Sequence, residues 1–553
     1  MKIIFNLKKQ RFHNFIKLKG RIHMKRFLSS ISFTLLAVFM LSACATGTPS
    51  NEGGNANGGG EGNGNNGGSD DNATIAFQEN IQTMDPHDGS SGIDISVALT
   101  MYETLLTPDE DGELQPLLAE DYEVDDESKN FTFFLRDDVE FTDGEKFNAE
   151  AVKANFERII DSEGSINGYK SLRNVEDIEV VDDYEVKITL DDTNSQFLDK
   201  VRSIRMASPK ALEDDDVDFG EESYGTGPFV MESWNHGESL VAKKNEDYWR
   251  DGYPKVDQLT FKPIPEDGSR IAMLKTGDAD FIFPIPVNDV EDLQDEDGVK
   301  VDLKESTYVN YATINTSKEP FDNEKVRQAM NYAINKEDYV KVVKNGYATP
   351  SDSPLPSTNV FYEEQEAYDY DIEKAKELMA EAGYEDGFST EIWGSDSSKD
   401  KLGMQFIQQQ LEQIDIDVDI KQMERGTLSD EINKPETPEE SEVEMWYVGW
   451  SSTTGDTDNA INPLFNSESF PPNGSNTAYY DNDKVDTLIG EALHAADEDV
   501  AADKYGELQE IIMADAPWLF LGVDEEPTAM KENLKGAWRS ADGNFYLQDI
   551  EWE

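Results

Sequence analysis

The amino-acid sequence predicts an exported α/β protein that folds as two lobes on mixed sheets. Three observations lead there. The chain opens with a secretory segment followed by a Gly/Asn-rich stretch. About 480 residues then remain, more than one ordinary hydrophobic core accommodates. Strand and helix patterns alternate along that part, most regularly in its second half, as an α/β lobe requires.

The secretory segment comes first. Residues 1–26 carry nine Lys or Arg and no acidic residue, and an apolar run from Phe27 to Leu41 leads to small residues before Cys44. Charged, apolar and small-residue regions in that order form a cleavable export signal over 1–43. The run is about 15 residues, short of the roughly 20 that span a bilayer. Leu41-Ser42-Ala43-Cys44 resembles the bacterial lipobox, which makes Cys44 the lipidated residue and the mature N-terminus. Stable anchoring needs more than one acyl chain, and a diacyl cysteine meets that requirement. Met24-Lys25-Arg26 has the form of a complete signal start, so residues 1–23 are a candidate mis-assigned extension. From 44 to 72 the chain is a tether almost without apolar residues, with a span of roughly 25–30 Å. These features place the protein at the outer face of a Gram-positive-type cell membrane.

Charge sets the next bound. The chain carries −67, and losing nine positive charges with the signal leaves −76. Disorder is excluded because hydrophobic residues (37%) and aromatics (10%) run throughout 74–553. Nucleic acid and anionic head groups are repelled. Self-repulsion of this size calls for screening salt, which predicts a salt-loving source, with an alkaline habitat as the rival. The one cysteine forms no disulfide framework.

The folded part reads in order as follows. Thr74–Phe77 is a first strand. Asn130 to Phe141 is β-rich and closes on a turn at Asp143-Gly144. Asn148 caps a helix with Ala151, Val152, Asn155, Phe156 and Ile159 on one face. Val175 to Leu190 holds two strands around Asp182-Asp183. Asn323 opens a helix with Val326, Ala329, Met330, Ala333 and Ile334 inward, and Asp371 opens another with Ala375, Leu378, Met379 and Ala382, stopped at Gly383.

Several segments carry a family resemblance: Thr83-Met84-Asp85-Pro86-His87, Tyr102-Glu103-Thr104-Leu105-Leu106, Phe133 to Gly144, Gly225-Thr226-Gly227-Pro228-Phe229, Asn245 to Trp249 and Gly277-Asp278-Ala279-Asp280. Asn315-Thr316 with Pro320-Phe321, Val326-Arg327-Gln328-Ala329, and Ala375 to Leu378 with Ala382-Gly383-Tyr384 complete the set. In this order they resemble the peptide-binding, family 5, extracellular solute-binding proteins of ABC importers. The resemblance implies a periplasmic-binding-protein-like fold whose two lobes close on a ligand about a hinge, with an extra sub-domain in the first lobe. It puts lobe I at 73–310 with the sub-domain near 117–219, lobe II at 311–520, and a C-terminal return to lobe I at 521–553. The crossings fall near Tyr308–Asn315 and Pro517–Val523. It also implies ABC permease subunits as partners, a monomer, no cofactor, no metal and no enzymatic activity.

Gly449 to Asn459, with Pro463-Leu464-Phe465, Pro471-Pro472 and Asn476, look most like the dipeptide and glutathione binders. Many peptide binders place an aspartate three residues after this Trp, to meet the ligand's ammonium group. Here that position is Thr453, which departs from the pattern and fits the glutathione-type branch better; Thr454 follows it in the same loop. Asp456 and Asp458 are candidate substitutes for the missing anion, against a solvated acidic turn. A small zwitterion also needs a cation for its carboxylate and aromatics along its stem. Arg425 is the candidate cation, against a surface ion pair, and Arg136, Arg270 and Arg327 are poorer ones whose segments suggest lobe packing. Trp393, Trp450 and Tyr102 are candidate cleft aromatics, against simple core packing.

Catalytic chemistry finds little support: the five His are scattered, no Gly-x-Ser-x-Gly elbow or phosphate loop occurs, and acidic residues are too abundant for any chosen carboxylate pair to be informative. The expected ligand is a short peptide or a glutathione-like compound. The alternatives are a same-fold carrier of oligosaccharide, nickel or haem, a peptide-sensing receptor, and a secreted acidic hydrolase.

Overall fold

The computed structural model describes residues 72–553, except 90, 126, 195, 215, 367, 436 and 453–455. The signal, Cys44, nearly all of the tether, and the loop residues Thr453 and Thr454 lie outside the described residues. Among the described residues no helix is long and apolar enough to cross a membrane.

One large mixed sheet runs through both lobes. Its first-lobe part sets Asn72–Phe77 parallel between Gln258–Pro263 and Phe281–Phe283, with Ser239–Lys244 and Phe229–Asn235 continuing to the edge. Ile75 and Phe77 are buried, as a parallel strand covered on both faces requires. In the second lobe Phe388–Ser395 lies parallel between Ile416–Met423 and Met445–Ser451. Two long antiparallel strands, Val299–Ile314 and Trp518–Lys531, join the halves. Their register runs from Val299 opposite Lys531 to Glu305 opposite Glu525, slips, and resumes at Val309 opposite Val523.

A separate antiparallel sheet, ordered Ala119–Val124, Asn130–Leu135, Glu185–Leu190 and Val175–Asp182, packs under the helix Ala149–Asp161. Asn148 Oδ1 caps this helix by accepting from the Ala151 N–H at 2.9 Å. Ala151, Val152, Asn155, Phe156 and Ile159 are all buried, in keeping with the predicted face. The β-rich stretch from Asn130 differs from its expected extent, because the strand stops at Leu135. Arg136 folds back onto Asp138 at 2.9 Å, and the chain leaves the sheet while still burying Val139 and Phe141. The helix after Asn323 spans Glu324–Tyr332, so Ala333 and Ile334 are buried just beyond its end.

A buried ion pair marks the register slip between the long strands. Lys344, with a side chain 4% exposed, donates at 2.7 Å both to Asp524 Oδ1 and to Asn310 Oδ1. Asn310 Nδ2 also donates to Asp524 Oδ1 at 2.7 Å, and the Ser306 hydroxyl donates to the Asp524 carbonyl. Burial pulls the Lys344 pKa down, against the pull of Asp524. Removing Lys344 leaves Asp524 only Asn310 and the exposed Lys399 at 4.0 Å, so Lys344→Met is expected to cost about 3 kcal/mol. The double replacement Lys344→Met with Asp524→Leu is expected to recover most of that loss in urea unfolding, giving a large coupling energy.

Candidate functional site

The candidate site is a cavity lined by segments far apart in the chain. Its volume is about 280 Å³, and its lining includes Asp199, Arg202, Glu305, Thr358, Arg539 and Asp542. A second cavity of about 340 Å³ on the first-lobe side shares Arg202 and Asp542 and adds Lys170, Arg205 and Tyr546. Arg202 therefore stands where the two spaces meet, 3.6 Å from both Asp199 and Asp542. Burial works against its charge, but Asp542 and Asp199 outweigh burial and raise its pKa. Arg539, ion-paired with Glu526, stacks over Phe283 with 4.9 Å from guanidinium to ring centre.

Carboxylates gather where the lobes touch. Asp199 lies on the short helix Phe197–Val201 of the first lobe. Burial pushes its pKa up to about 6 against the pull of Arg202, and Asp456 and Glu498 add to the rise. Asp456 caps the helix Thr457–Phe465, its Oδ1 accepting from the Asp458 and Asn459 N–H groups at 2.9 and 3.4 Å. Asp458 follows it, likewise pushed up to about 6 by burial and then by Asp456. Its Oδ1 is buried with no hydrogen-bond partner among the described residues.

The structure sorts the sequence-based candidates. Asp456 is buried and Asp458 half-buried, where Lys200 and Arg173 of the first lobe reach Asp458 by charge, and one Asp456 oxygen is spent on the helix cap. Trp450 is half-buried opposite Val309, and its Nε1–H donates to the Asn459 carbonyl at 3.2 Å, so it braces the same helix. Arg425 is exposed at the start of the helix Arg425–Asn433, and its charge reaches the phenol of Tyr308. Two aromatics correct the expectation. Trp393 is buried beneath Leu428 and Ile432, donates to Glu391 at 3.1 Å and has Lys421 3.6 Å over its ring. Tyr102 is fully buried in the first-lobe core, with its phenol oxygen accepting from the Tyr224 N–H. Neither presents a surface to the cleft: Trp393 fills the core on one side of its strand, and Tyr102, just past the helix Gly92–Leu99, is covered by the segment from Tyr224 to Gly227. Arg270 and Arg327 serve lobe packing, bonding to the backbone carbonyls of Ile264 and Pro284 and of Phe321 and Asp515.

Sequence reasoning missed the cavity residues Asp199, Arg202, Arg539 and Asp542, and it missed the packing of Tyr308. In a chain with 115 acidic residues no carboxylate stands out by its type. Tyr308 did leave a signal in Gly449, since glycine within a strand marks a close approach. A Cβ there would lie 2.3 Å from the Tyr308 ring.

Among the described residues no group of three or more His, Cys, Asp and Glu side chains is arranged to hold a metal ion. Comparison with known proteins agrees with a binding cleft. The glutathione-binding protein GsiB of Salmonella typhi is 39% identical over 480 residues, covering 86% of this chain and 94% of that protein. The GsiB of Escherichia coli O157:H7 is 37% identical over the same shares. Among solved structures, a Pseudoalteromonas dipeptide-binding protein in complex with Met-Leu gives a TM-score of 0.68 at 25% identity, over 87% of this chain and 100% of that one. The Helicobacter pylori periplasmic binding protein DppA, in complex with the peptide STSA, gives 0.64 at 28% identity, over 86% and 98%. The model of the bacterial extracellular solute-binding proteins, family 5 (Middle), matches residues 113–471. With that match and relatives of this identity over nearly their whole length, the chain belongs to family 5 of the bacterial extracellular solute-binding proteins, whose members bind solutes for transport and are not enzymes.

Proposed function

We propose that this protein captures glutathione or a short peptide outside the cell and delivers it to the permease of an ABC importer. The observation that carries the reading is the 37–39% identity, over about nine-tenths of their length, to proteins named for glutathione binding. The cleft chemistry supports it. Arg202 offers a cation to a ligand carboxylate, and the carboxylates around Asp199 and Asp458 offer anions to an ammonium group. The protein acts as a monomer held to the membrane by lipid on Cys44, with 44–72 as a tether and 1–43 removed. The lobes, 73–310 with 521–553 and 311–520, close as a population shift when ligand bridges them. The surface charge suits a saline habitat.

Titration calorimetry of the mature chain in high salt, with glutathione, its oxidised form and a dipeptide panel, tests the assignment. Saturable binding of one ligand per chain is expected, and Arg202→Ala is expected to weaken it roughly 10- to 100-fold, since a buried Arg anchor is worth about 2 kcal/mol or more. Absence of any binding by these compounds, with an oligosaccharide or haem bound instead, would sink the reading.

A further inference from the structure

Where the lobes meet beside the cleft, like charges face each other across the seam. The contact is direct: the Ser128 hydroxyl donates to the Ala496 carbonyl at 2.7 Å, and His494 Nε2 lies 3.4 Å from Asp192. Beside these contacts, Asp199 lines one cavity with Val360, whose carbonyl accepts from the Thr457 hydroxyl between Asp456 and Asp458; Asp199 feels Asp456 and Glu498 as like charges, with Arg202 and Lys200 on its own stretch as counter-charges. Asp458 is faced by Asp456 and by Lys200 and Arg173 from the first lobe, with Asn462 as a hydrogen-bond partner on its own helix.

The seam also leaves buried polar groups unanswered. The Tyr505 hydroxyl, on a side chain 1% exposed, has no partner among the described residues and feels Asp458 and Asp456. Both polar atoms of the Gln196 amide are buried without a partner beside the Asp199 helix, as is Asp458 Oδ1. Unanswered buried polar atoms cost free energy, so this seam is incomplete until something enters it.

We propose that the seam where Asp199 and Asp458 meet beside Asp456 is a charge-controlled latch, over which the lobes close once Asp199 and Asp458 have taken up protons or the seam has taken up a cationic group. Carboxylates brought together in a drying seam repel even where Arg202 and Lys200 offset part of their charge, and opening returns each to water. A proton removes one of the charges and supplies a donor for Asp458 Oδ1, Tyr505 or Gln196. An ammonium group on a ligand does the same without protonation, so ligand capture and proton uptake compete for one seam.

The sign follows from where these groups lie. With the seam packed as described, Asp199 and Asp458 sit near 6, against 3.8 as the ordinary aspartate value. Their contribution to closure is complete below the ordinary value and fades as pH rises through about 6. Between pH 7.5 and pH 5 each carboxylate changes the closed-to-open ratio roughly tenfold.

The test needs no ligand, so its result stands apart from the ligand assignment above. Cys44 is the one cysteine, so Cys44→Ser leaves a mature chain that accepts two dyes at engineered cysteines, one on an exposed face of each lobe. Single-molecule energy transfer then gives the closed fraction against pH. The closed-to-open ratio is expected to rise about tenfold or more from pH 7.5 to pH 5. Asp199→Asn with Asp458→Asn should be more closed at pH 7.5 and nearly flat with pH, and Asp458→Asn alone should lose about half of the logarithmic slope. Asp192→Asn and His494→Gln, which remove the exposed pair at the same seam, should keep most of it. A pH-independent wild type would overturn the latch, and so would a full slope retained by either Asp458 variant.

Discussion

Glu103→Ala is expected to destabilise the first lobe by about 3–5 kcal/mol, the cost of stripping the partner from a buried, charged hydrogen-bond network. Glu103 is 3% exposed. Its carboxylate accepts from the Thr226 hydroxyl at 2.8 Å, the Tyr248 phenol at 2.7 Å and the Trp249 indole N–H at 2.9 Å. Alanine would strip all three donors of their protein acceptor, the buried Thr226 hydroxyl among them. Burial raises the Glu103 pKa despite the bonds from Trp249, Tyr248 and Thr226 that favour its charge. A carboxyl raised in the folded state supports folding below its ordinary value and loses that contribution as pH rises through the folded one. Glu103→Gln should therefore cost less at neutral pH than Glu103→Ala, and should flatten the fall in stability between mildly acidic and neutral pH. Urea unfolding across that range measures both. A loss below about 1 kcal/mol for Glu103→Ala would contradict the network's role.

Gly225→Ala is the second large effect. A Cβ on Gly225 would lie 2.0 Å from the Met101 carbonyl oxygen, and one on Gly227 would lie 2.6 Å from the Met101 carbonyl carbon. The approach is fixed by backbone hydrogen bonds. The Gly227 N–H donates to Met101 O at 3.0 Å and the Phe229 N–H to Thr100 O at 3.1 Å. A clash with backbone cannot be relieved by turning a side chain, so the cost belongs at or above the upper end of the roughly 1–3 kcal/mol of overpacking. Folded yield and the urea midpoint are both expected to fall. An alanine variant of unchanged midpoint would mean that the two segments do not meet as described.

Gly225-Thr226-Gly227 was visible in the sequence only as a motif, and its cause is this approach to the segment Met101-Tyr102-Glu103. The same contact explains why Tyr102, read as a cleft aromatic, belongs to the core. Glu103 looked like one acid among many, until folding brought Thr226, Tyr248 and Trp249 to it.

What the sequence determined by itself is therefore local or serial. Caps at Asn148, Asn323 and Asp371, the apolar face of Ala149–Asp161 and the order of short motifs depend on neighbours along the chain, and they suffice for the fold class and the family. The tertiary structure decided which polar residues meet. Asp199 and Asp458 come from opposite lobes, Arg202 gains Asp542 from the C-terminal hairpin, and Asp456 is partly consumed by its own helix. No local pattern distinguishes these residues, because a carboxylate acquires its role from burial and from the charge facing it, and both arise only when distant segments pack together.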